Sequence, residues 1–260
     1  MRTLSRYGWI LAFAAAAAAT LEAQDFTWKG QIAAGRTLEV RGINGDVRAR
    51  AATGNQIEVT AVKSSRRSDP DEVEIKVIEH AGGVLICALY PTPPRARRDN
   101  ECAPGENHMS TDNNDVTVTF TVSVPASVIF DGRTVNGDVE AEGLTGDADL
   151  STVNGSVRLS TAGRGEASTV NGSIDAQVGK ADWTGDADFH TVNGGITLTL
   201  PASLSAEVRA ETVNGDIESD FPLTVQGRFG PRRVRGVIGN GGRTLDLGTV
   251  NGSIRLRKGS

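Results

Sequence analysis

The chain has 260 residues with 27 basic and 32 acidic side chains, and its formal net charge is −5. A general binder of nucleic acid or of anionic membranes is more often basic, because Lys and Arg contact phosphate, so this charge argues against both classes. Glycine is frequent, at 31 residues, and aromatic residues make up only 5 %, which is typical of a turn-rich, all-β chain.

The first 23 residues have the pattern of a cleavable export signal. Arg2 and Arg6 precede an apolar stretch from Trp9 to Ala19, and Leu21-Glu22-Ala23 is a candidate cleavage site. The apolar stretch is shorter than the ~20 residues that a membrane-spanning helix needs. We therefore expect residues 1–23 to be removed and the mature chain to act outside the cytoplasm, in the periplasm, on the cell surface or secreted, with no transmembrane segment.

Residues 24–130 are predicted to form an N-terminal β-rich segment. Apolar and polar residues alternate with the period of a β-strand in four runs, at 37–40, 57–62, 73–77 and 116–122. We expect this segment to continue or cap the sheet of the following half, because an open sheet end would expose an edge prone to aggregation.

Cys87 and Cys102 are the two cysteines of the chain. An even count in an oxidising compartment favours a disulfide, here one that pins a Pro-rich loop and contributes about 3 kcal/mol by restricting the unfolded chain. A two-Cys metal site is the alternative, but His108 is the one nearby ligand type and no second close pair completes four ligands.

Residues 131–260 contain an internal repeat. Thr-Val-Asn-Gly occurs six times, with its asparagines at Asn136, Asn154, Asn171, Asn193, Asn214 and Asn251. The steps between them are 18, 17, 22, 21 and 37 residues. Arg233–Ile238 divides the long step, so we interpret it as a degenerate coil with Arg235 in the Asn position. Gly42–Val47 is a further relative, alone near the N-terminus.

The repeat predicts short strands. Apolar residues lie three positions after each Asn and five positions after all but Asn214, which Ser219 follows, and this is a period of two. Carried through the motif, this parity predicts that the Val before each Asn and the Gly after it face inward, whereas Thr and Asn face outward. A second landmark, Thr145-Gly146-Asp147-Ala148-Asp149, has a counterpart at 184–188. Each period therefore carries two bends and two short strands.

Two architectures are compatible with this pattern. Asn-Gly between alternating segments is a strong hairpin signal and predicts an antiparallel meander, sandwich or prism. Near-identical copies at one spacing class favour instead an all-β, β-solenoid-like stack with about 17–22 residues per coil, in which one coil buries too little to fold alone. In that stack the six asparagines form a turn or ladder column with hydrogen bonds between amides. The charges of Arg255, Arg257 and Lys258 would then protect the open edge of the last strand from aggregation.

The leader, the repeats, the Thr-Gly-Asp-Ala-Asp half-coils and the Cys87 to Cys102 loop make the chain resemble the "putative adhesin" family of bacterial β-strand-repeat proteins, a domain of unknown function. The resemblance covers most of the mature chain. It implies a β-solenoid-like fold outside the cytoplasm and brings no established ligand, cofactor or catalytic residue.

Several residues have side chains that are common in catalytic or metal-binding sites, but their spacing in the sequence is not that of such a site. The pairs Asp147/Asp149 and Asp186/Asp188 suit an acid–base pair or a cation site, but they belong to repeated segments and are expected on a solvated face. The three histidines, His80, His108 and His190, are scattered. Arginines cluster at 95–98 and 232–235. Two interpretations are open for these clusters: binding of acidic glycans, or loops exposed to solvent. We expect no catalytic, cofactor-binding or metal-binding residues and no cofactor.

These observations predict an exported, non-catalytic binding protein that acts through its repeat surface in adhesion or envelope association. Its expected partner is an envelope glycan or a surface protein, not nucleic acid. One alternative is a structural or signalling-associated envelope component without a ligand of its own. A less favoured alternative is a carbohydrate-active β-helix enzyme.

Overall fold

The computed structural model describes residues 25–105, 107–180, 183, 185–225 and 232–259. The predicted leader, residues 1–23, lies outside the described residues. The described part is built from β-strands, with one short 3-10 helix at Pro70–Glu72. A membrane-crossing helix is not found in these ranges, since none is long and apolar enough.

Twenty-three strands are described. In chain order they are β1 (Asp25–Gly30), β2 (Thr37–Arg41), β3 (Val47–Ala51), β4 (Ile57–Ser64), β5 (Glu74–His80), β6 (Gly83–Leu89), β7 (Glu101–Cys102), β8 (Asn107–His108), β9 (Thr117–Val124), β10 (Ile129–Arg133), β11 (Val139–Leu144), β12 (Ala148–Ser151), β13 (Val157–Thr161), β14 (Gly165–Ser168), β15 (Ile174–Val178), β16 (Ala187–His190), β17 (Ile196–Pro201), β18 (Ala206–Asn214), β19 (Ile217–Ser219), β20 (Thr224–Val225), β21 (Arg233–Ile238), β22 (Arg243–Asn251) and β23 (Ile254–Gly259).

The strands form two long sheets and one small hairpin. The first sheet has the order β1-β4-β9-β3-β11-β13-β15-β17-β23-β19, and the second has the order β20-β21-β18-β22-β16-β14-β12-β10-β2-β6-β5. From β3 to β19 in the first sheet and from β18 to β6 in the second, every neighbouring pair is parallel. The β-solenoid-like prediction is confirmed, and the antiparallel meander is wrong for the repeats.

Each coil contributes one strand to each sheet, joined by the Asn-Gly bend. In the coil of Asn154, for example, β12 precedes the bend and β13 follows it. The inward side chains of both strands are buried between the sheets, including Leu150 and Val157. The core continues through Phe130 and Phe189, both fully buried. The burial of every second side chain, which is apolar, between the two sheets therefore stabilises each coil.

The N-terminal segment extends the same two sheets. β2 pairs in parallel with β10, and β3 pairs in parallel with β11 and β9. The Gly42–Val47 segment links β2 to β3, so it is the bend of a coil. Beyond it, β4 and β1 add antiparallel strands to the first sheet, and the β5–β6 hairpin ends the second.

The C-terminal end departs from chain order. β22 and β23 lie between the strands of the Asn193 coil and those of the Asn214 coil. Two predictions are corrected here. Arg233–Ile238 is not a degenerate coil, because it forms β21 and pairs antiparallel with β18. The last strand is not a guarded edge, because β23 is flanked by β17 and β19.

Charge complementarity accompanies this inserted position. Arg255 lies 3.4 Å from a carboxylate oxygen of Glu218, and Arg257 contacts Glu218 at 3.3 Å and Asp220 at 3.2 Å. The basic residues of the last strand thus pair with the short strand β19 and the residue after it.

Candidate functional site

The asparagines of the repeats form one hydrogen-bonded column along the stack, which we call the Asn column. In every member but Asn44, the side-chain amide donates to the Asn side-chain oxygen of the adjacent coil at 2.8 or 2.9 Å. In stack order its members are Asn44, Asn136, Asn154, Asn171, Asn193, Asn251 and Asn214. Sequence reasoning placed six of these in a ladder and left Asn44 as an isolated relative.

The first end of the Asn column is tied to the N-terminal segment. Asn44 donates from Nδ2 to the carbonyl of Val116 at 3.4 Å, and the Tyr90 hydroxyl donates to the same carbonyl at 2.8 Å. Burial raises the pKa of Tyr90 to about 12, so this phenol keeps its proton at neutral pH and remains a donor.

The threonines of the motif are buried, which corrects the predicted parity. Thr169, for example, is 5 % exposed, and its hydroxyl donates to the carbonyl of Gly155 in the preceding coil at 2.8 Å. The other five motif threonines are also buried and make the same bond to a glycine of the adjacent coil. The bend interrupts the strand, so the alternation of side chains does not carry through it.

The glycines of the motif allow the coils to approach closely. A Cβ atom on Gly172 would lie 2.5 Å from the carbonyl carbon of Gly155 and would overlap its oxygen. Gly155 has the same relation to Gly137. This position has no room for a side chain, because the backbone of the next coil occupies the space.

The residue before each Asn forms a second column, exposed in five coils and half-buried at Ile43 and Val135, which we call the Val column. Its members are Ile43, Val135, Val153, Val170, Val192, Val250 and Val213. Five of these valines are 39 to 51 % exposed, so the prediction that they face inward is wrong. Thr takes the inward position instead. We call the Asn column and the Val column together the Asn–Val ridge.

The middle of the Asn–Val ridge is uncharged. Two positions after the asparagines of the four middle coils come Ser156, Ser173, Gly195 and Ser253. At the two ends the same position holds Asp46, Asp138 and Asp216. Ser156 donates its backbone N–H to Asp138 at 2.8 Å, so the carboxylate at that end also serves the adjacent coil.

The outer face of the second sheet carries a row of carboxylates on successive strands, which we call the carboxylate row. Its members are Glu39, Asp131, Asp149, Glu166, Asp188 and Asp246. Arg133 binds Asp131 at 2.6 Å and Asp149 at 2.9 Å. Burial raises the pKa of Asp149, and repulsion from Asp131 adds to this. Burial also raises the pKa of Glu166, with further repulsion from Asp149 and Asp188.

The first carboxylate pair singled out from the sequence has structural partners, and Asp188 of the second pair belongs to the carboxylate row. Asp147 accepts the backbone N–H of Arg164 at 2.8 Å, and Asp149 is bound by Arg133. The histidines are not brought together, since His80 lies near Glu39 at 3.5 Å and His190 near Asp246 at 3.8 Å. In the described ranges, no group of three or more His, Cys, Asp or Glu is arranged to hold a metal ion.

The two cysteines are joined, with Cys87 and Cys102 forming a disulfide across a separation of 15 residues. Cys87 and Leu85 face away from the main core and are buried beneath the bridged loop. Asn100 holds the same loop by donating to the carbonyls of Tyr90 at 3.0 Å and Ser110 at 2.8 Å. Arg95, Arg97 and Arg98 are exposed on this loop.

The second arginine cluster lies at the edge of the second sheet. Arg233 pairs with Glu211 on β18, and Arg235 lies opposite Arg209.

A shallow cleft of about 680 Å³ lies in the N-terminal segment and is lined by Ser64, Ser65, Arg66, Arg67, Asp115 and Thr117. Hydrogen bonds from Ser68 lower the pKa of Asp115 to about 2, so this carboxylate stays charged and holds the turn beside the cleft.

Residues 105–257, more than half of the chain, match the sequence profile described as Toastrack DUF4097. The chain belongs to the Toastrack DUF4097 family. The resemblance to a β-repeat family of unknown function is thereby confirmed. No curated protein matches this Toastrack chain in sequence.

Solved structures align with this Toastrack chain over most of its length. A protein from Clostridium sporogenes ATCC 15579, described as a "putative cell adhesion protein", aligns over 92 % of this chain and 100 % of its own length, with 10 % identity and a TM-score of 0.50. A "putative adhesin" from Bacteroides fragilis NCTC 9343 aligns over 90 % and 97 %, with 10 % identity and a TM-score of 0.31. At 10 % identity, the likeness to the Clostridium sporogenes structure supports the fold of this chain and nothing further.

Two surface features of the Toastrack chain were missed by sequence reasoning. The Val column was missed because strand parity was extended through a bend. The carboxylate row has a simple signal, since each member lies five residues before an asparagine of the column, as Asp149 does before Asn154. Reading that offset across all coils would have revealed the row.

Proposed function

We propose that this chain is an exported, non-catalytic protein that attaches to an envelope glycan or a surface protein through its repeat surface. The observation that carries the proposal is the Asn–Val ridge, whose valines are exposed on five successive coils of the stack. Exposed apolar groups bordered by polar ones are typical of interaction sites. A purely structural stack has no need to expose valine at this position in coil after coil.

Two further observations support the proposal. A disulfide between Cys87 and Cys102 favours a compartment outside the reducing cytoplasm. The Clostridium sporogenes protein that shares the fold is described as a "putative cell adhesion protein", which is a role of the same class.

The test is co-sedimentation of purified residues 24–260 with isolated envelope fractions and with insoluble polysaccharides. We expect saturable retention without release of soluble sugar. Release of sugar that is lost in Asp147→Asn or Asp186→Asn would favour the enzyme alternative. Absence of retention on every fraction would contradict the proposal and favour a structural or signalling-associated component.

A further inference from the structure

Exposed apolar side chains are concentrated on one line of the molecule. Six large hydrophobic side chains are exposed in the part of the chain that the structure describes, and five of them belong to the Val column. They are Val153, Val170, Val192, Val213 and Val250. The sixth, Val62, is 40 % exposed on β4. The Val column is therefore a continuous apolar strip and not a scatter of single residues.

The neighbouring Asn column retains unused hydrogen-bonding groups. A side-chain amide has two N–H donors and an oxygen with two lone pairs. In the column, Asn171 uses one N–H toward Asn154 and one lone pair toward Asn193. The second N–H and the second lone pair of each exposed asparagine remain for a ligand. Each of the five coils with an exposed valine thus presents one donor, one acceptor and one isopropyl group.

This combination repeats at the spacing of β-strands, about 4.8 Å along the stack. A ligand that contacts all coils equally must itself repeat at a similar distance. In an extended polysaccharide each sugar advances the chain by a comparable length, and it offers hydroxyl groups at its edges and C–H groups on its faces. Hydroxyls suit the free amide groups, and C–H faces suit valine.

The charge of the Asn–Val ridge further limits the class of ligand that it can bind. The four middle coils carry Asn154, Asn171, Asn193 and Asn251 with serine or glycine beside them, whereas aspartates flank the two ends. In the four middle coils, the Thr-Val-Asn-Gly motif and the Ser or Gly after it contain no charged side chain, so the ridge itself has no fixed positive charge to attract an acidic polymer. An uncharged surface of amides, hydroxyls and methyl groups is matched by an uncharged ligand.

From these observations we infer that the Asn–Val ridge binds a neutral, extended, linear polysaccharide that lies along the stack axis. The inference rests on the proposed function and specifies its ligand and its surface. A second copy of the chain is the competing occupant, but two convex corners of this kind meet along a narrow line. A single polymer chain follows the ridge over its whole length.

The test uses the double variant Val170→Lys/Val192→Lys, which places charge on the ridge without removing a hydrogen bond of the Asn column. Val62→Lys is the matched control, because Val62 and Val192 are equally exposed, at 40 %. The probes are insoluble cellulose and chitin, with insoluble polygalacturonate as the acidic counterpart. Val170→Thr/Val192→Thr keeps the side-chain shape and replaces the lysine variant if its melting temperature falls.

We expect the wild type and Val62→Lys to bind a neutral polysaccharide equally, and the ridge variant to bind at least about tenfold more weakly, which corresponds to about 1.4 kcal/mol. Soluble oligosaccharides of the same linkage should compete more strongly as they lengthen, because each added sugar meets another coil.

Other outcomes separate this inference from the proposed function. Equal binding by wild type and ridge variant would overturn the ridge as the site while leaving adhesion intact. Retention only on polygalacturonate or on envelope protein would overturn the neutral polysaccharide. Dimerisation of the wild type that the ridge variant abolishes, without polysaccharide binding, would assign the ridge to a second copy. No retention on any fraction would overturn both the inference and the proposed function.

Discussion

Asn214 donates a side-chain N–H to Asn251 at 2.8 Å, and Asn251 donates in turn to Asn193 at the same distance. The coil that ends the chain is therefore held between two coils that precede it in sequence. Its strands β22 and β23 give the Asn214 coil its parallel partners. The strands β22 and β23 are therefore inserted between strands that precede them in sequence.

A chain ending at residue 242 should lose order on both sides of the missing coil. Ile196 donates its amide to the Ser253 carbonyl at 3.0 Å, and Asp220 donates to the Leu256 carbonyl at 2.9 Å. Both bonds disappear, and two sheet edges become open. Hydrogen exchange should accelerate in β17 and β19 and remain slow in β11 and β13. Unchanged protection of β19 would mean that the Asn214 coil stacks directly on the Asn193 coil in the shortened chain, and it would contradict the expected loss of order.

Asn171→Ala should lower the free energy of unfolding by about 1 kcal/mol or more, because it removes two hydrogen bonds in the middle of the Asn column. Gln177→Ala is the control, since it removes an exposed amide from the outer face of β15. Urea denaturation of both variants measures the difference. A loss for Asn171→Ala no greater than that for Gln177→Ala would show that the column adds no stability.

Thr169→Val should destabilise the protein by about 1 to 2 kcal/mol, because it keeps the side-chain volume but leaves the Gly155 carbonyl without its hydroxyl donor. Thr199→Val changes the same group on the outer face of β17 and should be nearly neutral. Thermal and urea unfolding compare the two variants. Equal effects would mean that the buried hydroxyl bond is not the reason for threonine in the motif.

Gly172→Ala should destabilise the protein by at least about 2 kcal/mol, because the new Cβ overlaps the backbone of Gly155 and the coils must separate. At Gly54 a Cβ meets no atom within 4 Å, so Gly54→Ala should change stability by less than about 0.5 kcal/mol. The midpoint of urea unfolding is the measurement. Tolerance of alanine at residue 172 would contradict the close packing of successive bends.

Asp149→Asn should remove part of the pH dependence of stability. Burial and Asp131 raise the pKa of Asp149 in the folded protein, against the opposing effect of Arg133. A carboxyl with a raised folded pKa binds its proton more tightly in the folded state, so its contribution to stability increases as the pH falls from about 7 toward about 4. Glu166 acts in the same direction.

The measurement is urea unfolding of the wild type and Asp149→Asn across that pH range. At neutral pH the variant should be at least as stable as the wild type, because the amide oxygen still accepts from Arg133 and the repulsion from Asp131 is gone. The difference should narrow as the pH falls. A difference that widens toward low pH would reverse the sign and contradict the raised pKa.

Much of the fold and part of the site were predictable from local patterns. The apolar residues after each Asn predicted the strands, and the constant motif predicted that Asn136 to Asn193 would stack. The place of Thr169 and Val170 was predicted the wrong way round, because the geometry of a bend depends on contacts with the next coil. Gly155, which accepts the Thr169 hydroxyl, is close in space only once the coils have stacked.

By itself, the sequence determined the coil, its period and the Asn column, because equivalent residues at a regular interval can pair in parallel wherever they meet. The tertiary structure alone decided the order of the last coils. Each Thr-Val-Asn-Gly copy is able to stack on any other, so the motif does not distinguish Asn214 from Asn251 as the next partner of Asn193. Long-range contacts make that choice, namely the antiparallel pairing of β21 with β18 and the ion pairs of Arg255 and Arg257 with Glu218 and Asp220. Those interactions join residues far apart in the chain, and they exist only after the strands have been brought together.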